Sequence, residues 1–570
     1  MTDTSSLAGP TLQDVLDGLA GNSTLSDIRK RDLRSAVTSF AALMDSSPAH
    51  VALDLDAIRT VLDLMVPIQA KVSRKRWANL RSDLSAAIAA SGLRPMVKTS
   101  NVELSESWVS LLAKVPDRKM RDGLSRFSRW ASERQIAPRD VNKEVIDRFI
   151  TDLKSSSLVR KIAELGQTIV RSWNRVVQAY PEDGLQEIEV TRRLNGPPRF
   201  PWERLPESFR QDVDMYLQWA SVPDPLDDNA RRSPLAPKTV RLQRDHIHSA
   251  VTAAAAVGID GSELVGLASL VELETFKKIL RHRWESEGRK LSAYTHGVAG
   301  SLISIAKEWV RVPADALAAL KATRQKLGAL PIGLTDKNKN VLRQFNDKRL
   351  LGRLVNLPDR LWRDLSGKLK TSRRDFIELQ SALAIDILLV APVRMKNLAE
   401  LKFDEHIQWP QGQGKPAIIL FKTEETKNRI PLEFDLPLSL SDRLHTCRNK
   451  IAPAVTGRRP DHLFVTWKGK PRTQAAIALA IEKTVLKYVG IKLTPHMFRH
   501  LAAKIRLDES PGAYELVREL MGHKNMQTTT NFYAGIDTRR AGRAHLELIA
   551  KIRSCAGSSP AGRRNEIKQV

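Results

Sequence analysis

One short segment of the chain, LTPHMFRHLAAKIRL, has residue types and a spacing that suit phosphate chemistry. Thr494 is a preferred N-cap and Pro495 suits the first helical position, so a helix is predicted to begin there. At 100° per residue, one face of this helix carries His496, Arg499 and His500. The opposite face carries Phe498, Leu501 and Ile505. A helix N-terminus offers free N–H groups and an Arg adds a bidentate fork, so the segment predicts a phosphate site.

The two histidines admit other interpretations. His496 and His500 have the i and i+4 spacing of zinc ligands, but Met497 stands where an HExxH zinc enzyme has its Glu, and no third ligand is evident. They are also consistent with ordinary histidines on a helix surface. Taken alone, the segment favours phosphate binding and an ordinary helix about equally.

A second segment, ELMGHKNMQTTTNFYAG, favours the phosphate interpretation. His523 follows a Gly, and Tyr533 lies ten residues after His523. A His-x-x-Arg-His motif, then Met-Gly-His, then a Thr-rich stretch that ends in Tyr together resemble the C-terminal signature of the tyrosine recombinases, the phage integrases. The resemblance covers about residues 340 to 555.

This resemblance implies a catalytic set. It makes Tyr533 a covalent nucleophile, His496 its general base and His523 a hydrogen-bonding partner of the phosphate. It also assigns the first of two catalytic arginines to Arg394, in VAPVRMKNLAELKF, with Arg499 as the second. A structural Arg394 that caps a helix or pairs with Glu400 is the alternative.

The resemblance further implies a general-acid lysine on a hairpin between the two arginines. The segment AIILFKTEETKNRIPLEF offers Lys422 at the end of the first strand and Lys427 near the second, and we assign Lys422. Either lysine is also consistent with a surface charge that protects a hairpin edge. The chain departs from many relatives at Pro392, where they have Gly, and its His-to-Tyr interval is one residue longer.

The implied reaction is strand cleavage and rejoining through a 3'-phosphotyrosyl intermediate. A phenol has a pKa of about 10, so it needs a base, and the phosphate charge needs cationic or hydrogen-bonding partners. Because the covalent link keeps the bond energy, we expect no metal, nucleotide or other cofactor. In agreement, neither GQGKP nor KGKPRT completes a P-loop.

Two other functions remain open. A type IB topoisomerase shares this chemistry but relaxes supercoils, whereas a recombinase integrates, excises or transposes a mobile element. A catalytically silent DNA-binding protein is the third interpretation. Such a protein needs basic residues but not the full set, which argues against it.

Charge points to the same partner. Lys and Arg outnumber Asp and Glu by 91 to 64, which gives a formal charge of +27 and favours a polyanion such as double-stranded DNA. The N-terminus lacks the features of a signal peptide, and the most apolar stretch is short and holds Asp386, so we expect a cytoplasmic, nucleoid-associated protein without membrane contact. In relatives a C-terminal helix docks on a neighbouring subunit, so the segment RRAGRAHLELIAKIRS predicts a homo-multimer, a tetramer on paired sites, with possible accessory DNA-bending or directionality factors.

The 570 residues are too many for one hydrophobic core, so several domains must position these residues. We predict all-α N-terminal modules, of the SAM-like core-binding type, followed by a mixed α+β catalytic domain. The predicted divisions are helical modules at 1–100 and 101–185, a Pro-rich linker at 186–234, a core-binding helical domain at 235–330, the catalytic domain at 335–555 and a flexible tail at 556–570.

Three stretches of the N-terminal half share a rhythm of a basic helix, a short turn, a short acidic helix and a longer helix. They begin at RDLRSAVTSFAALM, MRDGLSRFSRWASE and KTVRLQRDHIHSAV. This pattern indicates a triplicated module folded as separate small bundles, with chance similarity between amphipathic helices as the alternative. After about residue 335 the runs AIILF and RIPLEF, separated by a polar turn, predict a β-hairpin.

Overall fold

Helices account for most of the secondary structure of this chain, in agreement with the predicted fold class. The computed structural model describes residues 9–94, 96, 102–189, 199–222, 224, 226, 230–231, 233–290, 292–368, 371–527, 529–532, 542 and 545–552. Two compact units are formed, one by residues 1–191 together with 333–570 and the other by residues 192–332. No helix within the described ranges is both long and apolar enough to cross a membrane.

The first helical group lies in residues 9–94 and has a core of its own. Its helices are α1 (Leu12–Gly21), α2 (Asp27–Leu43), α3 (Leu55–Leu64) and α4 (Arg74–Ala90), with a 3-10 helix at Pro48–His50. Local capping explains where two of them begin. Ser26 Oγ accepts from Arg29 N at 3.4 Å, and Asp54 Oδ1 accepts from Asp56 N at 2.8 Å.

The second helical group is built around aromatic side chains. Its helices are α5 (Glu106–Lys114), α6 (Arg118–Glu133), α7 (Lys143–Ser156) and α8 (Ile162–Ala179), with 3-10 helices at Pro138–Asp140 and Pro181–Asp183. The rings of Trp130 and Phe149 meet edge to face, with centroids 5.2 Å apart. Such aromatic pairs stabilise a core beyond the area they bury.

These two groups pack against each other, whereas the sequence pattern suggested separate bundles. Leu158, between α7 and α8, is buried in the core of the first group. Arg59 of α3 is itself buried and donates to the carbonyls of Lys154 at 2.7 Å and Ser157 at 2.8 Å. Arg59 therefore satisfies two carbonyls at the C-terminal end of α7, where helical partners are lacking.

The second unit contains a third helical group. Its helices are α9 (Glu207–Ser221), α10 (Pro237–Ala256), α11 (Leu267–Val271), α12 (Leu273–Ser286), α13 (Ala293–Ile305) and α14 (Ala314–Gln325), with 3-10 helices at Trp202–Arg204 and Gly261–Glu263 and a π-helical turn at Ala306–Val310. Helix α9 lies inside the segment predicted as a linker at 186–234, and that prediction is wrong for residues 207–221. Phe209, Val213 and Tyr216 are fully buried. The prolines on both sides of α9 concealed its amphipathic pattern.

The three groups share one helix ending. The long helices α2, α6 and α10 each end two residues before a residue with a left-handed backbone, namely Asp45, Gln135 and Gly258. One residue further on, a backbone N–H reaches back five residues to the carbonyl of an alanine: Ser46 to Ala41, Ile136 to Ala131 and Ile259 to Ala254. This is the Schellman arrangement, and each copy leads into a 3-10 helix.

The C-terminal part of the first unit contains the remaining elements. The helices are α15 (Asp336–Gln344), α16 (Lys348–Val355), α17 (Leu357–Ser366), α18 (Arg373–Val390), α19 (Met395–Ala399), α20 (Phe403–His406), α21 (Leu438–Thr446), α22 (Ala452–Thr456), α23 (Gln474–Val489), α24 (Pro495–Glu509) and α25 (Tyr514–Met521), with a 3-10 helix at Thr423–Glu425 and a π-helical turn at Cys447–Ile451. Helix α18 is buried from Leu379 to Leu388 apart from Asp386, in agreement with the apolar composition of its second half.

A small antiparallel sheet accompanies these helices. Strands β1 (Ile407–Gln408), β2 (Ile418–Phe421) and β3 (Leu432–Asp435) lie in that order, with Phe421 opposite Leu432. The predicted hairpin of β2 and β3 is confirmed. Strand β1 has only two residues, too few for an alternating pattern to be recognised in the sequence.

Candidate active site

Helix α24 begins at Pro495, as its capping residues predict. Thr494 Oγ1 accepts from Met497 N at 3.4 Å. On the apolar face, Phe498 and Leu501 are each 1% exposed. Ile505 is 37% exposed, so the expectation that it packs in the core is wrong. The second half of α24 instead packs on α25 through Ala503 and Leu507.

The polar face of α24 borders a cleft of about 360 Å³. The cleft brings together four of the six predicted catalytic residues: Arg394, His496, Arg499 and His523. The described side chains that complete its lining are Lys427, Asn428, His500, Lys524, Asn525 and Phe532. Four of the ten lining residues are Lys or Arg, and none of them is Asp or Glu. The cleft is therefore suited to an anion.

Arg499 connects two walls of this cleft. Its side chain is almost fully buried, with the residue 4% exposed. One terminal nitrogen donates to the carbonyl of Pro392, and the other donates to the carbonyl of Met521 at 2.7 Å. Arg499 thus joins the loop before Arg394 to the end of α25, next to His523. A planar guanidinium is needed to reach both carbonyls.

Arg394 occupies the N-cap position of α19, directly after the turn that follows α18. It is partly buried, and this burial lowers the pKa of its guanidinium. No carboxylate in the described part of the chain makes an ion pair with Arg394, including Glu400, which pairs with Lys396 at 3.7 Å. An arginine that loses solvent without gaining an acidic partner is suited to an anionic ligand.

The three histidines of the cleft are held neutral. Burial is the main cause that lowers the pKa of His500 to about 3, and the neighbouring His496, Arg499 and His523 add smaller effects in the same direction. Burial and the charges of Arg499 and Arg394 lower the pKa of His523 to about 4 and also lower the pKa of His496. The sequence suggested potential cations at these positions. Neutral imidazoles can instead accept protons.

Contacts within the cleft orient these rings. His496 Nε2 and His500 Nε2 lie 3.2 Å apart, so one ring donates to the other when both are neutral. His523 Nδ1 lies 3.0 Å from Thr529 Oγ1, and Thr529 is fully buried. Among the described residues, no group of three or more His, Cys, Asp or Glu side chains is placed to hold a metal ion.

The hairpin presents a different lysine from the one we assigned. Lys427 lines the cleft, whereas Lys422 is not among the residues that line it. After β2 the chain forms a 3-10 turn at Thr423–Glu425, and Lys427 follows six residues after Phe421, the end of the strand. Asn428, at this tip, donates from Nδ2 to the carbonyl of Gly522 at 2.5 Å.

Tyr533 lies outside the described residues. Its chain neighbour Phe532 lines the cleft and stacks on His500, with ring centroids 5.9 Å apart and an interplanar angle of 28°. Sequence reasoning did not identify Asn428, Lys524, Asn525 or Phe532. Their one signal was proximity in the sequence, since each lies within two residues of a residue already considered.

Comparison with known proteins identifies this region. Residues 365–540 match the model of the Phage integrase family. The tyrosine recombinase XerC of Pseudomonas syringae pv. tomato (strain DC3000) is 28% identical over 168 residues, which are 29% of this chain and 50% of that protein. XerC of Pseudomonas aeruginosa (strain PAO1) is 33% identical over 102 residues, 17% of this chain and 33% of that protein.

The likeness to solved structures is low in both sequence identity and TM-score. The integrase of the Tn1549 transposon, solved in complex with circular intermediate DNA, aligns with 59% of this chain and 98% of its own at 16% identity, with a TM-score of 0.35. A score at this level does not establish a shared architecture. The chain spans half the length or less of the XerC proteins described above. On the family match and the XerC relatives, residues 365–540 form a domain of the phage integrase family, and the chain is similar to tyrosine recombinases over part of its length.

Proposed function

We propose that this protein is a site-specific recombinase that cleaves and rejoins double-stranded DNA through a 3'-phosphotyrosyl intermediate. The observation that carries the proposal is the cleft, where Arg394 and Arg499 converge with three neutral histidines and no acidic side chain is present among the described lining residues. A phosphodiester in this cleft would meet positive charge, hydrogen-bond donors and a proton acceptor.

Each group has a role in the proposed cleavage. The Tyr533 hydroxyl oxygen attacks the phosphorus atom and gives its proton to His496. Arg394 and Arg499 stabilise the charge that develops on the phosphate oxygens, and His523 hydrogen-bonds to one of them. Tyr533 is assigned from the family motif and from its position directly after Phe532.

Departure of the 5'-oxygen completes this step. The bond between phosphorus and O5' breaks, and a general acid protonates that oxygen. We now assign this acid to Lys427 instead of Lys422, because Lys427 lines the cleft. Attack by another strand's 5'-hydroxyl on the phosphotyrosine then restores the phosphodiester and frees Tyr533. The number of phosphodiester-type bonds is unchanged, so no nucleotide is consumed.

The distribution of charge supports DNA contact through the C-terminal part. Residues 333–570 carry 43 Lys plus Arg against 24 Asp plus Glu, whereas residues 1–191 carry 27 against 24. Electrostatic attraction to the phosphate backbone is the main sequence-independent contribution to DNA affinity. We infer that the first two helical groups contribute less to this attraction than the catalytic part does.

The three helical groups are proposed to be copies of one module. Their shared Schellman endings and the 3-10 helices that follow support this interpretation over chance similarity. We assign the third copy, close to the predicted domain at 235–330, to the core-binding role, and residues 335–555 to catalysis. Assembly as a tetramer on paired nucleoid DNA sites, with accessory factors, follows from the family resemblance.

A covalent-capture experiment tests this function. Wild-type protein and Tyr533→Phe are incubated in EDTA with sheared genomic DNA of the source organism, and DNA that remains protein-linked after denaturation is sequenced. The recovered site is then built into a duplex that is nicked near the cleavage point. After cleavage the short strand fragment dissociates, so the covalent adduct cannot reverse. We expect a covalent adduct with wild type and none with Tyr533→Phe.

Other outcomes separate the alternatives. An adduct that persists with Tyr533→Phe would exclude Tyr533 as the nucleophile. Tight binding of DNA without any adduct would favour a silent DNA-binding protein. Adduct formation with relaxation of supercoils, but without strand exchange between two labelled duplexes, would favour a type IB topoisomerase.

A further inference from the structure

The hairpin tip that carries Lys427 has no strand partner and is held by side chains. Residues 422 to 431 lie between β2 and β3, outside the paired segment. Thr426 Oγ1 accepts from Ile430 N at 3.0 Å and donates to the Ile430 carbonyl at 2.8 Å. This clasp closes a tip of three residues, Lys427 to Arg429, in which Arg429 has a left-handed backbone with φ of 53°.

Glu425 holds the residues that precede the tip in place. Its Oε2 accepts from Lys422 N at 2.7 Å, and its own backbone carbonyl accepts from Asn397 Nδ2 at 3.2 Å. Asn397 is buried and lies on α19, three residues after Arg394. Burial opposes the charge on Glu425, but the hydrogen bonds from Lys422 N and His406 outweigh it and lower the pKa of the carboxyl. The anchor is therefore a carboxylate.

His406 provides the remaining contact to this carboxylate. Its Nδ1 accepts from Lys402 N at 3.0 Å, and because a backbone N–H can only donate, the neutral ring carries its proton on Nε2. That Nε2 donates to Glu425 Oε1 at 2.8 Å. His406 is 4% exposed and its ring also packs on Phe421, the last residue of β2. The histidine thus has one defined tautomer and one defined acceptor.

We propose that His406 is a positioning residue for the general acid, acting on Lys427 through Glu425. The inference rests on the proposed function, in which Lys427 protonates the departing O5'. The path runs from His406 to Glu425, through the Thr426 clasp, to the tip, which Asn428 joins to Gly522 beside His523. A displacement of a reacting group by about 1 Å can cost about a hundredfold in rate.

Two substitutions separate the two hydrogen bonds of His406. His406→Gln keeps a donor at the position of Nε2, toward Glu425. His406→Asn keeps an acceptor at the position of Nδ1, toward Lys402 N, but has no donor that reaches Glu425. His445→Asn, in α21, is the control. No hydrogen bond among the described residues joins the His445 side chain to the hairpin.

The substrate distinguishes positioning of the acid from other defects. Single-turnover cleavage is measured on nicked duplexes of the recovered site, with either oxygen or sulfur as the bridging 5'-atom. A thiol, with a pKa of about 8.5, departs without a general acid, whereas an alkoxide needs one. We expect His406→Asn to slow cleavage of the oxygen substrate about tenfold or more and to leave the sulfur substrate within about twofold of wild type. His406→Gln and His445→Asn should match wild type on both.

Several results would overturn the proposal. One is equal slowing of both substrates by His406→Asn, because that defect would not concern proton donation. Another is a wild-type rate for His406→Asn on both substrates. If His406→Asn has a lowered melting temperature, Glu425→Gln tests the same path, because an amide can accept only one of the two hydrogen bonds from Lys422 N and His406 Nε2 and should likewise slow only the oxygen substrate. Absence of any adduct with wild-type protein would instead contradict the proposed function itself.

Discussion

Arg499 donates to the carbonyl of Met521 at 2.7 Å and thereby joins helix α24 to the end of α25. The other terminal nitrogen donates to the carbonyl of Pro392, so one guanidinium joins the two walls of the cleft. In the proposed reaction Arg499 also faces the phosphate. A single side chain therefore contributes to both the shape and the charge of the site.

Arg499→Lys should separate shape from charge. Lysine keeps the positive charge but cannot reach both carbonyls, and a buried carbonyl without a partner costs about 1–3 kcal/mol. We expect a lower melting temperature and a loss of cleavage of about a hundredfold or more, with DNA binding much less affected. Arg506→Lys, on the exposed side of the same helix, is the control and should behave as wild type. Equal cleavage by both variants would contradict the bridging role.

Gly522→Ala tests the loop that holds His523. Gly522 has φ of 56°, and a Cβ there would lie 2.8 Å from Leu432 Cδ2. We expect a lower free energy of unfolding and slower cleavage than in the control, because either the buried Leu432 side chain or the loop must shift to relieve the contact. Gly512→Ala is a matched control, since its φ is 78° but a Cβ there meets nothing within 4 Å. That control should cost about 1–2 kcal/mol of stability without slowing cleavage.

Alanine substitution of the two hairpin lysines should give unequal effects. Lys427→Ala removes the side chain that lines the cleft and should slow single-turnover cleavage by about 10²- to 10⁴-fold, the usual contribution of a general acid. Lys422→Ala should stay within a few fold of wild type. If Lys422→Ala is the slower variant, the assignment returns to the strand end. DNA-binding affinity, measured in parallel at fixed salt, shows whether either effect reflects binding.

The neutral histidines predict a pH dependence of DNA binding. A bound phosphate favours the protonated ring, so binding should raise the pKa of His523 from about 4 and that of His500 from about 3. Between the free and bound pKa values, binding takes up protons and affinity rises as pH falls. Calorimetry in two buffers of different ionisation enthalpy measures this uptake, and His523→Gln should reduce it. Proton release on binding would contradict the prediction.

The same shifts act on stability in the opposite direction. Because the folded-state pKa values of His500 and His523 lie below the usual value of 6.5, protonation favours the unfolded chain. The stability that these two neutral histidines contribute to the folded state is complete above about pH 6.5. It is lost as pH falls toward 4 and then 3. We expect the melting temperature of the free protein to fall over this interval, and His523→Gln to fall less steeply.

Much of the architecture is encoded locally in the sequence. Thr494 and Pro495 mark the start of α24, the runs AIILF and RIPLEF mark the hairpin of β2 and β3, and the apolar spacing marks the helices of the three groups. Helix α9 was missed because its amphipathic pattern lies between proline-rich segments. The pairing of residues within a few turns of each other is a short-range property, so periodicity and capping residues suffice to predict it.

The family resemblance and the choice of candidate residues also follow from the sequence alone, since His496, Arg499 and His523 occur in recognisable motifs. Only the tertiary structure decided which hairpin lysine faces the cleft, that Arg499 joins Pro392 to Met521, and that the three histidines are neutral. These properties depend on burial and on contacts between residues up to about a hundred positions apart. Desolvation and long-range hydrogen bonds arise only when distant segments pack, so no local pattern in the sequence carries them.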